Sequence, residues 1–351
     1  MDFTLTAGQA ELGALTREIL TDHVSAGRDA WAELAKAGVL AAALPESAGG
    51  DGLGLLEQCS VLIEIGRAVS QVPYLPSIVL GASALARYGS PGQRQLAEQA
   101  GRGDIVIAAA LADEEIADPA TAREVSDGWQ LAGTKTAVPA GAVADMLLVS
   151  AVAPGGTALF LVEPGNVTVR PQQVTGGGDT AVVDLAGVVV PADRLIGSIE
   201  AGPETADWLL ARATIGFCAL QLGVTERALE LTAAYARTRE QFGKPIGSFQ
   251  AVSQRLADSY IDVEAIRLTL WQAAWRLAEG LPAETEVATA KFWAAEGGHR
   301  IAHTAVHVHG GVGIDMEGDV HQYYAAAKFN EFALGGATAQ LRRIGAVLAA
   351  G

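Results

Sequence analysis

Residues 235–250 read YARTREQFGKPIGSFQ. A helical pattern runs into this stretch and stops at Gly243-Lys244-Pro245, where glycine tolerates left-handed backbone and proline cannot continue a helical ladder. Arg237, Arg239 and Lys244 gather within eight residues, yet the chain as a whole carries 24 Lys and Arg against 40 Asp and Glu. The question is which anion they meet. A guanidinium at a helix end reaches out of the fold with a planar fork that suits two phosphate oxygens at once. Phe242 adds a flat apolar face, and Gly243 lets backbone come close. The alternative is a solvated helix end whose cations complement the helix dipole. That alternative suffices for Arg237 and Lys244. Arg239, with Phe242 and Gly243 beside it, is the candidate ligand contact.

The bulk composition narrows the classes. At 351 residues the chain exceeds one small core, so two or three structural units are expected. Half the residues are hydrophobic and 18% are charged, which describes a folded globular protein. A net charge of −16 excludes a broad nucleic-acid-binding face. No apolar run reaches the roughly 18 residues needed to span a bilayer. The first twenty residues show neither a basic n-region nor an apolar h-region, so a cytoplasmic protein without membrane or nucleic-acid partners is expected. Cys59 and Cys218 stand alone in apolar helical surroundings and read as reduced, buried thiols.

Working outward from the arginine stretch, the periodicity changes twice. Residues 1–105 carry apolar side chains at three- and four-residue spacing, in "TREILTDHV", "DAWAELAKAGVLAAAL" and "LLEQCSVLIEIGRAV". Residues 106–200 break into short β-branched runs bounded by Gly, Pro and Asp, such as "DMLLVSAV", "TALFLVE" and "TAVVDLAGVVV". These predict an antiparallel sheet or small barrel. Residues 201–351 return to long helical periods, predicted at 204–241, 249–279, 284–308 and 320–349, a four-helix bundle. The expected fold is therefore α+β multidomain: an N-terminal helical domain, a central β domain and a C-terminal bundle.

This order resembles the acyl-CoA dehydrogenase family, and two motifs carry the resemblance. One is Tyr235-x-x-x-Arg239-x-x-Phe242-Gly243 followed by Phe249-Gln250. The other is His307-x-x-Gly310-Gly311-x-Gly313, roughly 65 residues further on. "LPESAGGDGLG" at 44–54 is a weaker match to the family's N-terminal segment. The resemblance implies FAD as cofactor. Arg239, Phe242 and Gln250 would contact the FAD of a neighbouring subunit, with Arg239 on its pyrophosphate. The turn of His307, Gly310, Gly311 and Gly313 would pack on its adenosine part. His307 stands where the family more often has Gln; neutral imidazole still donates one hydrogen bond. His303, His307 and His309 lack the carboxylate pattern of a metal site, so no metal is expected.

The resemblance also implies a glutamate that removes a proton beside a thioester, and here it is missing. One of the family's two base positions falls on Gly335 and the other on Ala213, neither of which can accept a proton. The run "ALADEEIADPA" replaces the family's hydroxyl-bearing flavin loop. "TAVPAG" replaces its Trp-Ile-Thr, with Ala137 at the Trp and Pro139 at the Thr. Together these resemble the non-catalytic, β-type chain of heterotetrameric bacterial steroid side-chain acyl-CoA dehydrogenases, an expectation strengthened by "LGGATAQLRRIG". Such a chain implies a homologous partner that carries the glutamate, an acyl-CoA substrate and an electron-transferring flavoprotein. Two other readings stand beside it. One is a self-sufficient homo-oligomer with Glu331 as a relocated base; the other is a non-redox acyl-CoA-binding scaffold. Ala213, Gly216 and Ala219 would either widen an acyl pocket or allow close helix packing.

Overall fold

A computed structural model describes residues 3–26, 29–113 and 118–350. Among these residues six α-helices come first: α1 (Ala7–Ala26), α2 (Ala30–Lys36), α3 (Val39–Ala42), α4 (Leu55–Arg67), α5 (Ser83–Tyr88) and α6 (Pro91–Gly101). A wholly buried π-helical stretch, Tyr74–Ala82, leads into α5. Local chemistry sets α6 clearly. Ser90 and Gln93 form a reciprocal capping box and Pro91 opens the first turn, satisfying amides that a helix start leaves orphaned.

Among the described residues nine strands follow: β1 (Ile107–Ala110), β2 (Thr121–Val125), β3 (Gly128–Ala132), β4 (Thr134–Val138), β5 (Met146–Ala153), β6 (Gly156–Val162), β7 (Thr168–Pro171), β8 (Ala181–Asp184) and β9 (Val189–Val190). One sheet runs β1-β5-β2-β3-β9 with β6 on β5, and a second runs β4-β8-β7. Most strand pairs are antiparallel, as expected, but β5 also has parallel neighbours in β1 and β2. β1 pairs in parallel with β5, Ile107 opposite Met146 through Ala110 opposite Val149. Every residue of β1 is buried, so no alternation of polar and apolar residues marks its direction. The inner faces meet in a core that includes Trp129, Leu131, Phe160 and Val183.

The C-terminal half holds α7 (Gly202–Thr238), a short hairpin of β10 (Glu240–Gln241) and β11 (Lys244–Pro245), α8 (Gln250–Ala278), α9 (Glu284–His309), α10 (Val320–Phe332) and α11 (Ala337–Ala350). The single helix expected over 320–349 is in fact two. The chain turns at Leu334 and Gly335, both with positive φ (58° and 98°), a conformation no helix interior accommodates. The turn is pinned by side chains. Gln340 Nε2 donates to the carbonyls of Leu334 (3.3 Å) and Gly335 (3.0 Å), and Lys291 Nζ donates to those of Asn330 (2.9 Å) and Glu331 (3.0 Å).

The chain divides into two compact units, 1–21 with 55–70 and 214–351, and 22–54 with 71–213. In the first, α4 packs directly on α7. A Cβ at Gly66 would lie 2.2 Å from Leu220 O, and one at Gly223 1.9 Å from Ile63 O, so the two backbones touch where only glycine fits. Close helix packing is thus realised on α7 a few residues beyond Ala219. Arg67, at the end of α4, ties this contact to α7 through ion pairs with Glu226 (2.9 Å) and Glu230 (2.8 Å). Among the described residues α7 is also the one helix long and apolar enough to cross a membrane, and 72% of its apolar window is buried. Cys59 and Cys218 are buried and not joined in a disulfide. Burial pushes the Cys218 thiol up to about 12.

Candidate functional site

The end of α7 and the end of α9 meet, and this brings the two motifs together. Tyr235 lies on the last turns of α7 and His309 closes α9; their rings stack at 4.3 Å between centroids, 25° apart in plane. Four residues past Tyr235, Arg239 donates its amide to the Tyr235 carbonyl (2.8 Å) and the chain enters the β10–β11 hairpin. Gln241 pairs with Lys244, so Phe242 and Gly243 form a two-residue loop. Both have positive φ (54° and 77°), the mark of a type I′ turn. An aromatic residue rarely takes that conformation, because its Cβ crowds the backbone. Here the ring is also 93% exposed, so burial of the ring within this chain does not offset the strain.

The three cations on this arm have no acidic partner among the described residues. Arg237, Arg239 and Lys244 are all exposed, and none makes an ion pair or side-chain hydrogen bond. Lys244 Nζ sits 4.5 Å from the Phe249 ring centroid, and Phe249 meets Phe242 edge to face at 6.2 Å. Gln250, exposed, opens α8 beside them. The hairpin thus presents unneutralised positive charge and an uncovered aromatic face on an acidic protein.

The glycine turn has a different logic at each position. Gly310 takes φ 64°, ψ −138°, which requires glycine. A Cβ at Gly313 would press within 3.0 Å of Val306 and of His309 Cβ, so glycine is needed for packing. Gly311 has neither reason: its φ is ordinary and a Cβ there would meet nothing within 4 Å. A side-chain-free surface with no internal cause is one on which another group can lie flat. His307 is exposed on the last turn of α9. This set fits the diphosphate and adenosine of a dinucleotide: a free guanidinium for oxygens, an exposed ring, and open glycine backbone. Among the described residues no group of three or more His, Cys, Asp or Glu is placed to hold a metal ion.

The two positions where the resemblance places a base hold no acid in this sequence. Ala213 is fully buried, and Gly335 lies in the pinned turn described above. Glu331, the alternative, stands near that turn with its carboxylate engaged. Lys328 Nζ is 2.8 Å from Glu331 Oε2 and 2.7 Å from His299 Nδ1, and His299 Nδ1 is 3.1 Å from Glu331 Oε1. In the other unit, Gln172 takes up the backbone where the family's Trp-Ile-Thr would stand. Its Oε1 accepts from the Ala137 amide at 2.7 Å, and it bonds Thr136 Oγ1. Ala137 itself has φ 47°, at a register shift between β4 and β8. Of the run "ALADEEIADPA", residues 114–117 lie outside the described residues. Asp113 pairs with the buried Lys135 at 2.7 Å, and burial lowers the affinity of that lysine for its proton. Sequence reasoning missed Tyr235 and His309 as partners, and Gln172 altogether.

A helical N-terminal segment, a β middle and a C-terminal bundle bearing this arm are the architecture of an acyl-CoA dehydrogenase, a class of flavoprotein oxidoreductases. Residues 200–349 match the family model of the acyl-CoA dehydrogenase C-terminal domain, and residues 8–100 match that of its N-terminal domain. The chain belongs to the acyl-CoA dehydrogenase family, whose cofactor is FAD. It is 49% identical to "Acyl-CoA dehydrogenase FadE27" of Mycobacterium tuberculosis, over 99% of both chains. Among solved structures it is similar to a chain of the ChsE4-ChsE5 complex from Mycobacterium tuberculosis (TM-score 0.94, 50% identity, 99% of both chains). It is also similar to a chain of the Tcur3481-Tcur3483 steroid ACAD G363A variant (TM-score 0.90, 39% identity, 97% of both chains).

Proposed function

We propose that this chain is a subunit of a flavin-dependent acyl-CoA dehydrogenase that lacks its own catalytic base and completes the FAD site of a homologous partner chain. The observation that carries this reading is an asymmetry. The arm that faces a neighbour's cofactor is open: Arg239 has no acidic partner and Phe242 is held out in solvent. Both base positions hold residues without an acid, and the amide of Ala137 is taken by Gln172. The names of two similar structures support the same reading, since each names a pair of chains, and one names a steroid acyl-CoA dehydrogenase.

In this role Arg239 binds diphosphate oxygens bidentately, Phe242 covers a ring face, and Gln250 and His307 donate hydrogen bonds. Gly310, Gly311 and Gly313 let the adenosine part lie against backbone. FAD, when bound, supplies the hydride acceptor for dehydrogenation of a CoA thioester. The proton from the carbon beside the thioester goes to a glutamate of the partner, because the two base positions hold Ala213 and Gly335 and the Glu331 carboxylate is engaged by Lys328 and His299. A steroid side chain is the acyl group suggested by the steroid neighbour, and an electron-transferring flavoprotein is the acceptor the family reading supplies.

Co-expression with a homologous chain bearing the glutamate tests this. The pair is expected to be yellow and active, and the chain alone nearly colourless. Arg239→Ala in this chain should lower the pair's FAD content, while Arg239→Lys, which lacks the planar fork, should recover it only in part. Full flavin occupancy in the isolated chain, with bleaching by an acyl-CoA, would overturn the proposal.

A further inference from the structure

Resting on the reading of Arg239 as a cofactor contact, we propose that the Tyr235–His309 stack is the brace that fixes the spacing between the arginine hairpin and the glycine turn. Tyr235 and His309 are then positioning residues for the diphosphate-and-adenosine half of the cofactor. Neither needs to touch it.

The geometry makes the stack a junction. Tyr235 sits one helical turn before Arg239, and its carbonyl accepts the Arg239 amide at 2.8 Å. A shift of the Tyr235 backbone therefore carries the root of the guanidinium with it. His309 sits directly before Gly310, whose left-handed backbone starts the glycine turn. Gly313 folds back so that a Cβ there would lie 3.0 Å from His309 Cβ. The turn thus rests on His309 from one side while Tyr235 holds the ring from the other. His309 is itself fixed in orientation. It is buried, and its Nδ1 lies 2.8 Å from the carbonyl oxygen of Ala305. A carbonyl only accepts, so Nδ1 carries the proton and the ring cannot flip without losing the bond. Each of these contacts is short, and together they form a continuous path from Arg239 to Gly313.

The brace matters because the two contact groups belong to helices that end separately. Arg239 follows α7 and Gly310 follows α9, and nothing in their own turns sets their separation. A dinucleotide has a fixed distance between diphosphate and adenine. A site that holds both ends must have that distance built in before binding, or its ordering opposes affinity. A stacked aromatic pair supplies such rigidity without adding charge to the site.

The test is FAD affinity of the deflavinated complex of this chain with its homologous partner, titrated with free FAD and read by flavin fluorescence. His309→Leu is expected to weaken binding about tenfold, the upper range of an aromatic pair. His309→Phe keeps a ring in place and should stay within about twofold of the natural chain. In an Arg239→Ala background, His309→Leu should cost clearly less than in the natural chain, because one of the groups it positions is gone. Unchanged affinity in His309→Leu, equal loss in His309→Phe, or full additivity with Arg239→Ala would each overturn the brace. The same readings on Tyr235→Leu and Tyr235→Phe decide the matter if His309→Leu does not assemble. Separately, unchanged FAD affinity in Arg239→Ala alone would refute the cofactor reading and not the brace in particular.

Discussion

Replacing Phe242 by asparagine should move stability and cofactor affinity in opposite directions. Phe242 occupies the first loop position of the β10–β11 hairpin with φ 54°, and Gly243 follows with φ 77°. Asn-Gly is the preferred pair for such a turn, because asparagine tolerates left-handed backbone that an aromatic residue resists. Relief of that strain is worth about 1 kcal/mol. Little is lost against it in the isolated chain. The ring is 93% exposed, and its one aromatic contact is the edge-to-face pair with Phe249 at 6.2 Å. That pair is worth roughly 0.5 kcal/mol at so open a site. Phe242→Asn should therefore leave the isolated chain as stable as the original or more stable by about 0.5 kcal/mol. In the complex, loss of the ring face should weaken FAD about tenfold. Urea midpoints at constant slope measure the first quantity, and FAD titration of the deflavinated complex the second. A midpoint that falls by an amount equivalent to more than about 1 kcal/mol would show the ring to be a packing residue. Undiminished FAD affinity would show that the strain serves something other than the flavin.

Two further outcomes follow from the base region. Gly335→Glu should not create a working base: at φ 98° any side chain is strained, and its Cβ would meet Ala339 Cβ at 3.1 Å and Gln340 Nε2 at 3.3 Å. Stability should fall by about 2 kcal/mol and no acyl-CoA-dependent bleaching should appear; bleaching above background would show the turn to be more adaptable than drawn. Lys291 is fully buried and desolvation lowers its pKa to about 8, against 10.5 for the free side chain, while Cys218 beside it stays a thiol. Below pH 8 both states of the chain hold that proton. Between about 8 and 10.5 the unfolded state binds more protons, so this group's contribution makes stability rise with pH. The difference in stability between the natural chain and Lys291→Met should thus grow by on the order of 3 kcal/mol from pH 7 to pH 10.5, and a flat difference would refute the desolvated ammonium.

What could be read from the sequence was what punctuation marks. Gly243-Lys244-Pro245 announced the arm, and the β-branched runs between Gly, Pro and Asp announced the sheets. The split of the last helix was also written, as Gly335-Gly336, but the apolar period on either side runs through it and hides the turn. The direction of β1 had no local signal, because a strand buried on both faces shows no alternation. The close packing of α4 on α7 within one unit uses Gly66 and Gly223, two glycines far apart in sequence whose shared purpose appears only when their backbones touch. His309 was noticed only as one of three nearby histidines. Its partner, Tyr235, lies 74 residues earlier by number, and stacking between such residues has no sequence spacing to betray it.

The energetics of the arm argue against a scaffold that merely retained a fold. An exposed arginine without a partner adds almost nothing to stability, since even paired surface charges contribute little. A phenylalanine in left-handed backbone costs about 1 kcal/mol, and exposing its ring to water forgoes the burial that would offset it. Glycine at Gly311 adds unfolded-state entropy with no turn or contact to require it. Three residues in one small region thus carry features that lower or do not help the stability of the isolated chain. At Ala137 the reverse holds: the amide is taken internally by Gln172 and needs nothing from outside. Under the proposed function these are two sides of one design: the Ala137 amide is satisfied within the chain, while among the described residues nothing pairs with Arg239 or covers Phe242, which leaves both for a second molecule.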